Sequence, residues 1–280
     1  MVGVEVTLPD SKARIARFYD RLSPHFRRLW GPHLHDGLFD ANTRTREEAQ
    51  EKLVAFLAEH SGIERGSSVL DIGCGMGATS VWLAEHLSCE ATGITLSRVQ
   101  VEMADRLARE RGVQADFRLM DAEATPVSIL GVFDAIWMVG VLGHFDRQLD
   151  FLRRCHALVR PGGRFVLADW TAGDPISTAD RTEIIEPLLD GMLMAELLPR
   201  SAYEAVLVRH GWRLVSQHDL TEATRRTWEE GVRIVDAPSL LQLALNLGPD
   251  AVGLLTSIRL MKQAMARGLV RYSAVIAERI

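Results

Sequence analysis

The chain has 280 residues, 47% hydrophobic and 25% charged, which is enough to bury a substantial core and too apolar for a disordered chain. Its formal net charge of -5 offers a polyanion no overall attraction, so a small molecule is the expected partner and nucleic acid is not. Cys74, Cys89 and Cys155 lack the spacing of a disulfide framework or zinc site, and neither a leader pattern nor a bilayer-spanning apolar run is visible; a cytoplasmic protein without a membrane span is expected, with a homodimer left open.

Residues 1–66 read as helices forming an N-terminal cap or lid. Their clearest member follows Thr45-Arg46-Glu47-Glu48, a capping-box pattern, after which Ala49, Leu53, Phe56 and Leu57 fall on one face. Gly62, free to take positive φ, is expected to end it. From Ser67 short apolar runs alternate with helical patterns, predicting strands over 69–72, 91–96, 117–120, 133–138 and 164–169. Ser97 with Gln100 opens one intervening helix, Gly112 closes it, and Asp146 opens the next. Pro161-Gly162-Gly163 turns the chain into the fifth strand. Beyond Trp170 a helical insert is expected at about 175–210, then a strand at 212–218, helix at about 239–267 and a last strand at 272–277. The fold class is α/β: a doubly wound, mainly parallel sheet over 67–280, with an N-terminal helical cap and a late helical insert that binds the acceptor.

The first predicted strand runs into Asp71-Ile72-Gly73-Cys74-Gly75-Met76-Gly77-Ala78, a glycine-rich turn that lets a ligand approach the backbone. Gly73, Gly75 and Ala78 also fit a dinucleotide fingerprint, so a dinucleotide-dependent oxidoreductase is the more distant alternative. The carboxylate of Asp71 disfavours a nearby pyrophosphate and suits a cationic ligand instead.

VLDIGCGMG at 69–77 resembles the first motif of class I S-adenosylmethionine-dependent methyltransferases, which have a Rossmann-like fold. The likeness continues, in the family's order, through GITLS at 93–97, LMDAEATP at 119–126, FDAIW at 133–137 and LVRPGGRFVLADW at 158–170. WGPHLHDGLF at 30–39 is similar to a segment of the subgroup containing tocopherol methyltransferases and antibiotic-tailoring sugar O-methyltransferases. The resemblance implies S-adenosyl-L-methionine as donor, S-adenosyl-L-homocysteine as product, and a small-molecule acceptor. A hydroxyl of a natural product is favoured, with N- or C-methylation as the alternative because donor motifs do not specify the attacking atom. It further implies that Asp71, Gly73 and Gly75 surround the methionine part of the donor, that Leu96 and Gln100 lie near its ribose, and that Asp121 and Ala122 lie at its adenine. Thr95 stands where many relatives carry an acidic ribose ligand, and Val139 and Tyr19 complete the expected donor contacts, although Tyr19 also suits a ring that anchors the cap.

His33, His35 and Met194 are expected at the acceptor, and no metal is expected, since two histidines without a third ligand do not make a site. Gly140 departs from the family, where glutamate is common. The catalytic expectation rests on His144 and Asp169. They follow the fourth strand and end the fifth, so adjacent strand ends would pair an imidazole base with an orienting carboxylate, resembling the His/Asp pair of related sugar O-methyltransferases.

Overall fold

The structure, a computed structural model, describes residues 9–280; residues 1–8 of the expected cap lie outside it. Helices α1 (Asp10–Leu29) and α2 (Arg46–Ser61) precede an alternating run of β1 (Ser68–Ile72), α3 (Ala78–Leu87), β2 (Glu90–Thr95), α4 (Arg98–Arg111), β3 (Ala115–Leu119), α5 (Val127–Leu130), β4 (Phe133–Val139), α6 (Gln148–Cys155) and β5 (Val159–Ala172). The alternation then gives way to α7 (Thr178–Asp180), α8 (Glu186–Gly191) and α9 (Arg200–Arg209) before β6 (Trp212–Asp219). A second helical group, α10 (Thr221–Thr224), α11 (Arg226–Val235), α12 (Pro238–Leu247) and α13 (Pro249–Ala266), leads to β7 (Val270–Arg279).

The strands form one sheet in the order β3-β2-β1-β4-β5-β7-β6, in which β7 alone runs antiparallel to its neighbours. Helices cover both faces, so the central strands are apolar on both sides. Along β4, Ala135 and Trp137 enter one core while Ile136 and Met138 enter the other, and all four are fully buried. The strand order reverses at the β1/β4 pair, where open α/β sheets form a ligand crevice beyond the strand ends. The segments 73–77 and 140–145 emerge there.

The expected alternation is observed, with two corrections of organisation. Helix α2 does begin with the capping box, Glu48 N donating to Thr45 Oγ1 at 3.2 Å and Thr45 N to Glu48 Oε2 at 3.2 Å, and ends at Gly62 with φ 64°. It is, however, a layer of the sandwich and no lid: Leu53, Val54 and Leu57 are fully buried in the same core as Val69, Trp137, Val166 and Ile276. Among the described residues of the expected cap, α1 and the segment 32–35 line the cavity at the strand ends. The helix expected at 239–267 is two, because Gly248 at φ 101° breaks the chain and Pro249 starts the next helix.

Candidate active site

At the strand ends lies a cavity of about 910 Å³ whose lining includes all ten expected donor residues: Tyr19, Asp71, Gly73, Gly75, Thr95, Leu96, Gln100, Asp121, Ala122 and Val139. Gly73, with φ 74°, leaves no room for a side chain, since a Cβ there would run into Val141. Gly75, with φ 54°, lines the cavity opposite Leu34, whose Cδ1 would lie 3.6 Å from a Cβ at that position. The carboxylate of Asp71 is almost fully buried beneath the loop and accepts from Ser80 Oγ at 2.6 Å. Burial raises its pKa to about 6, against the hydrogen bonds from Ser80. Across the loop, Thr95 Oγ1 donates to Gln100 Oε1 at 2.6 Å, so the amide end that Gln100 offers the cavity is its NH₂. Ser97 caps α4 by accepting from Gln100 N, and Asp121 Oδ1 accepts from Glu123 N at 2.9 Å to shape the turn after β3.

Helix α1 closes over this cavity through polar contacts of Lys12, Tyr19 and Asp20. Lys12, buried, donates to the carbonyl of His144 at 2.7 Å and pairs with Glu123. Asp20 Oδ1 accepts from Ser97 Oγ at 2.6 Å and from Val99 N at 3.1 Å, placing a carboxylate at the N-terminus of α4. Tyr19 Oη lies 2.8 Å from His144 Nε2. The tautomer of His144 follows from its other nitrogen: Nδ1 lies 3.0 Å from the carbonyl of Leu193, which only accepts, so Nδ1 carries the proton and Nε2 accepts from the Tyr19 hydroxyl. Desolvation lowers the His144 pKa, against the Leu193 contact, and keeps the ring neutral.

Tyr19, Leu34, Gly140 and His144 also line a second chamber of about 610 Å³ behind the first. Its walls include Phe18, Phe26, Trp30, Met192, Trp170 and Trp228. Two of the indoles are fixed by one buried carboxylate, Trp170 Nε1 donating to Asp36 Oδ2 at 2.8 Å and Trp228 Nε1 to Asp36 Oδ1 at 2.6 Å. Burial raises the Asp36 pKa to about 7 in spite of both indoles.

The central segment, residues 69–163, matches the family model described as a methyltransferase domain. The chain is 30% identical over 217 residues to 27-O-demethylrifamycin SV methyltransferase of Amycolatopsis mediterranei, covering 76% of this chain and 79% of that protein. The chain belongs to the S-adenosylmethionine-dependent methyltransferase family. It is also 24% identical over 284 residues to the chloroplastic tocopherol O-methyltransferase of Arabidopsis thaliana, covering 95% of this chain and 81% of that one. A mycolic acid cyclopropane synthase structure superposes with a TM-score of 0.85 at 19% identity, over 98% of this chain and 99% of that one, and shares the fold.

As a methyltransferase donor pocket the first cavity fits on an observation of its own. A buried carboxylate whose pKa is raised has no cationic partner among the described residues, and the ammonium end of the donor's methionine moiety is a cation of the right kind. The proposed catalytic pair is corrected. Asp169 is not beside His144: its Oδ2 accepts from Val141 N at 2.9 Å and Leu142 N at 2.7 Å, and its Oδ1 from Trp170 N at 2.8 Å. It shapes the loop that carries His144, whose ring partners are Tyr19 and Leu193.

The expected acceptor residues also move. His33 and His35 line the donor cavity and not the aromatic chamber. His35 Nδ1 donates to the carbonyl of Asp36 at 2.7 Å, so its Nε2 accepts from His33 Nδ1 at 3.1 Å, and desolvation takes the His35 pKa down to about 4. Met194 packs under Gly143, outside both chambers, while Met192 faces the aromatic one. Asp36, Trp170, Trp228 and Lys12 were missed by the sequence reading. A lone carboxylate or lysine carries no periodic signal, though Trp170 directly follows the fifth-strand motif.

Proposed function

We propose that this methyltransferase transfers the donor methyl to a hydroxyl of a small organic acceptor seated in the aromatic chamber. The observation that carries the reading is the Tyr19–His144 pair, which stands on the wall common to the donor cavity and the chamber with an unprotonated imidazole nitrogen at its end. The names of the rifamycin and tocopherol relatives, both O-methyltransferases, support the same reading.

When bound, the donor supplies an electrophilic sulfonium methyl. The chain's own residues would handle the proton: as the acceptor oxygen displaced the donor's sulfur from the methyl carbon, leaving the neutral thioether, its proton would pass to Tyr19 Oη while the Tyr19 proton passed to His144 Nε2. Tyr19 thus ends neutral and the charge rests on His144, whose Nδ1–H stays on the Leu193 carbonyl. Asp71 would hold the ammonium, Gln100, Asp121 and Ala122 the nucleoside, and His33 and His35 the donor side of the lid. The half-buried pair would align acceptor and methyl, which alone supplies large effective molarities. We place the protein in the cytoplasm, on its three free cysteines, and in natural-product biosynthesis.

The test is an acceptor screen with an isotope-labelled methyl donor, the product's new carbon read by NMR. An O–CH₃ resonance is expected; label on carbon or nitrogen alone overturns the hydroxyl assignment.

A further inference from the structure

A third cavity of about 540 Å³ adjoins the aromatic chamber and shares Phe26, Trp30, Leu254 and Ile258 with it. It lies among α1, the end of α11, α12 and α13, and its remaining lining is leucine, isoleucine, valine and alanine apart from His25. Neither this cavity nor the aromatic chamber is lined by an arginine, lysine, aspartate or glutamate, so neither offers a counter-ion to a phosphate, carboxylate or ammonium group. Trp30 stands at the junction, held between the Arg46 guanidinium, 4.1 Å from its ring, and Trp228, at 5.8 Å between centroids. Its indole nitrogen is buried and has no hydrogen-bond partner among the described residues. On the surface beside the cavity, α12 exposes Leu241 and Leu245, so this helix is apolar on its outer face as well.

From this arrangement we infer that the acceptor is a neutral molecule with an extended apolar tail. Its reacting end lies at Tyr19 and His144, and its tail passes Trp30 into a channel formed by α1, α12 and α13. Helix α12 is then the element that sets tail length. The inference rests on the hydroxyl reading for the placement of the reacting end, but the channel itself is read from its walls. Burial of a tail in it replaces water on leucine and isoleucine by hydrocarbon, a gain that grows with each methylene until the channel ends.

The probes are para-ethylphenol, para-butylphenol and para-octylphenol, titrated calorimetrically with and without saturating S-adenosylhomocysteine. Affinity is expected to rise roughly two- to fourfold per methylene along the series. Leu243→Arg, which sets a charge in the channel wall, is expected to abolish the gain for the octyl compound while leaving para-ethylphenol and S-adenosylhomocysteine affinities unchanged. Ala244→Trp, which fills the same wall without charge, is expected to do likewise and guards against misfolding of the first variant. A flat series in the parent, or an unchanged series in both folded variants, overturns the channel. So does a parent dimer that Leu243→Arg splits while the series stays flat, which makes the groove a surface for a second copy. Failure of S-adenosylhomocysteine to bind the parent, with the length dependence intact, counts against the methyltransferase assignment and leaves the channel standing.

Discussion

His144 and Tyr19 carry the chemistry proposed here, and their environment fixes its direction. Neutral His144 can accept a proton only at Nε2, because Nδ1–H is committed to a carbonyl. Since burial lowers its pKa, the ring takes up its proton only at lower pH than an ordinary imidazole, so the acid limb of kcat should lie below about pH 6.5. His144→Ala should cut kcat by about 10²- to 10⁴-fold and Tyr19→Phe by less, with S-adenosylhomocysteine affinity nearly unchanged in both. Near-parental kcat in both variants would leave alignment as the whole source of rate. The reading of Asp169 as partner of His144 failed for a reason visible only in three dimensions. Strand ends can be adjacent while a carboxylate turns back onto its own loop, and three backbone amides outbid one imidazole.

Among the elements, strands were the most legible, because two-sided burial leaves an apolar run that needs no partner information to recognise. The expected strands differ from β1, β2 and β4 by a residue or two, whereas β5 is far longer than its expected core: β7 pairs with it from Arg164 to Ala172, and Val159 already pairs with Phe133 of β4. Helix α2 was legible as a helix and misread as a lid, since an apolar face does not say which surface it covers. Its place in the sandwich predicts that Leu57→Ala lowers unfolding free energy by about 2–5 kcal/mol, read by urea denaturation. Helix α1 should behave differently. Asp20→Ala removes the acceptor for Ser97 Oγ and Val99 N, and the expected result is a loss of about 1–3 kcal/mol together with faster S-adenosylhomocysteine release in stopped-flow chasing. A release rate equal to the parent's would remove α1 from the gate.

For the molecule as a whole, the lining of the glycine-loop cavity was readable and the aromatic chamber was not. The ten expected donor residues cluster because they sit at fixed offsets from strand ends, and the β1/β4 reversal brings those ends to one crevice. The aromatic chamber is assembled from α1, the segment 30–36, β5, α11 and α13, held by the Asp36 carboxylate between two indoles, and no local pattern encodes such long-range closure. The central claim is that the glycine-loop cavity holds a donor whose ammonium is met by ionised Asp71. Because the pKa of Asp71 is raised to about 6 in the free protein, a cationic ligand binds best once that group has lost its proton. The most direct measurement is calorimetric titration with S-adenosylhomocysteine from about pH 5 to about pH 8, on the parent and on Asp71→Asn. The account predicts parent affinity that rises with pH through about 6 and then levels, and in Asp71→Asn a pH-independent affinity weaker by roughly 10- to 100-fold. No binding to the parent, or equal affinity and equal pH dependence in the two proteins, would contradict it.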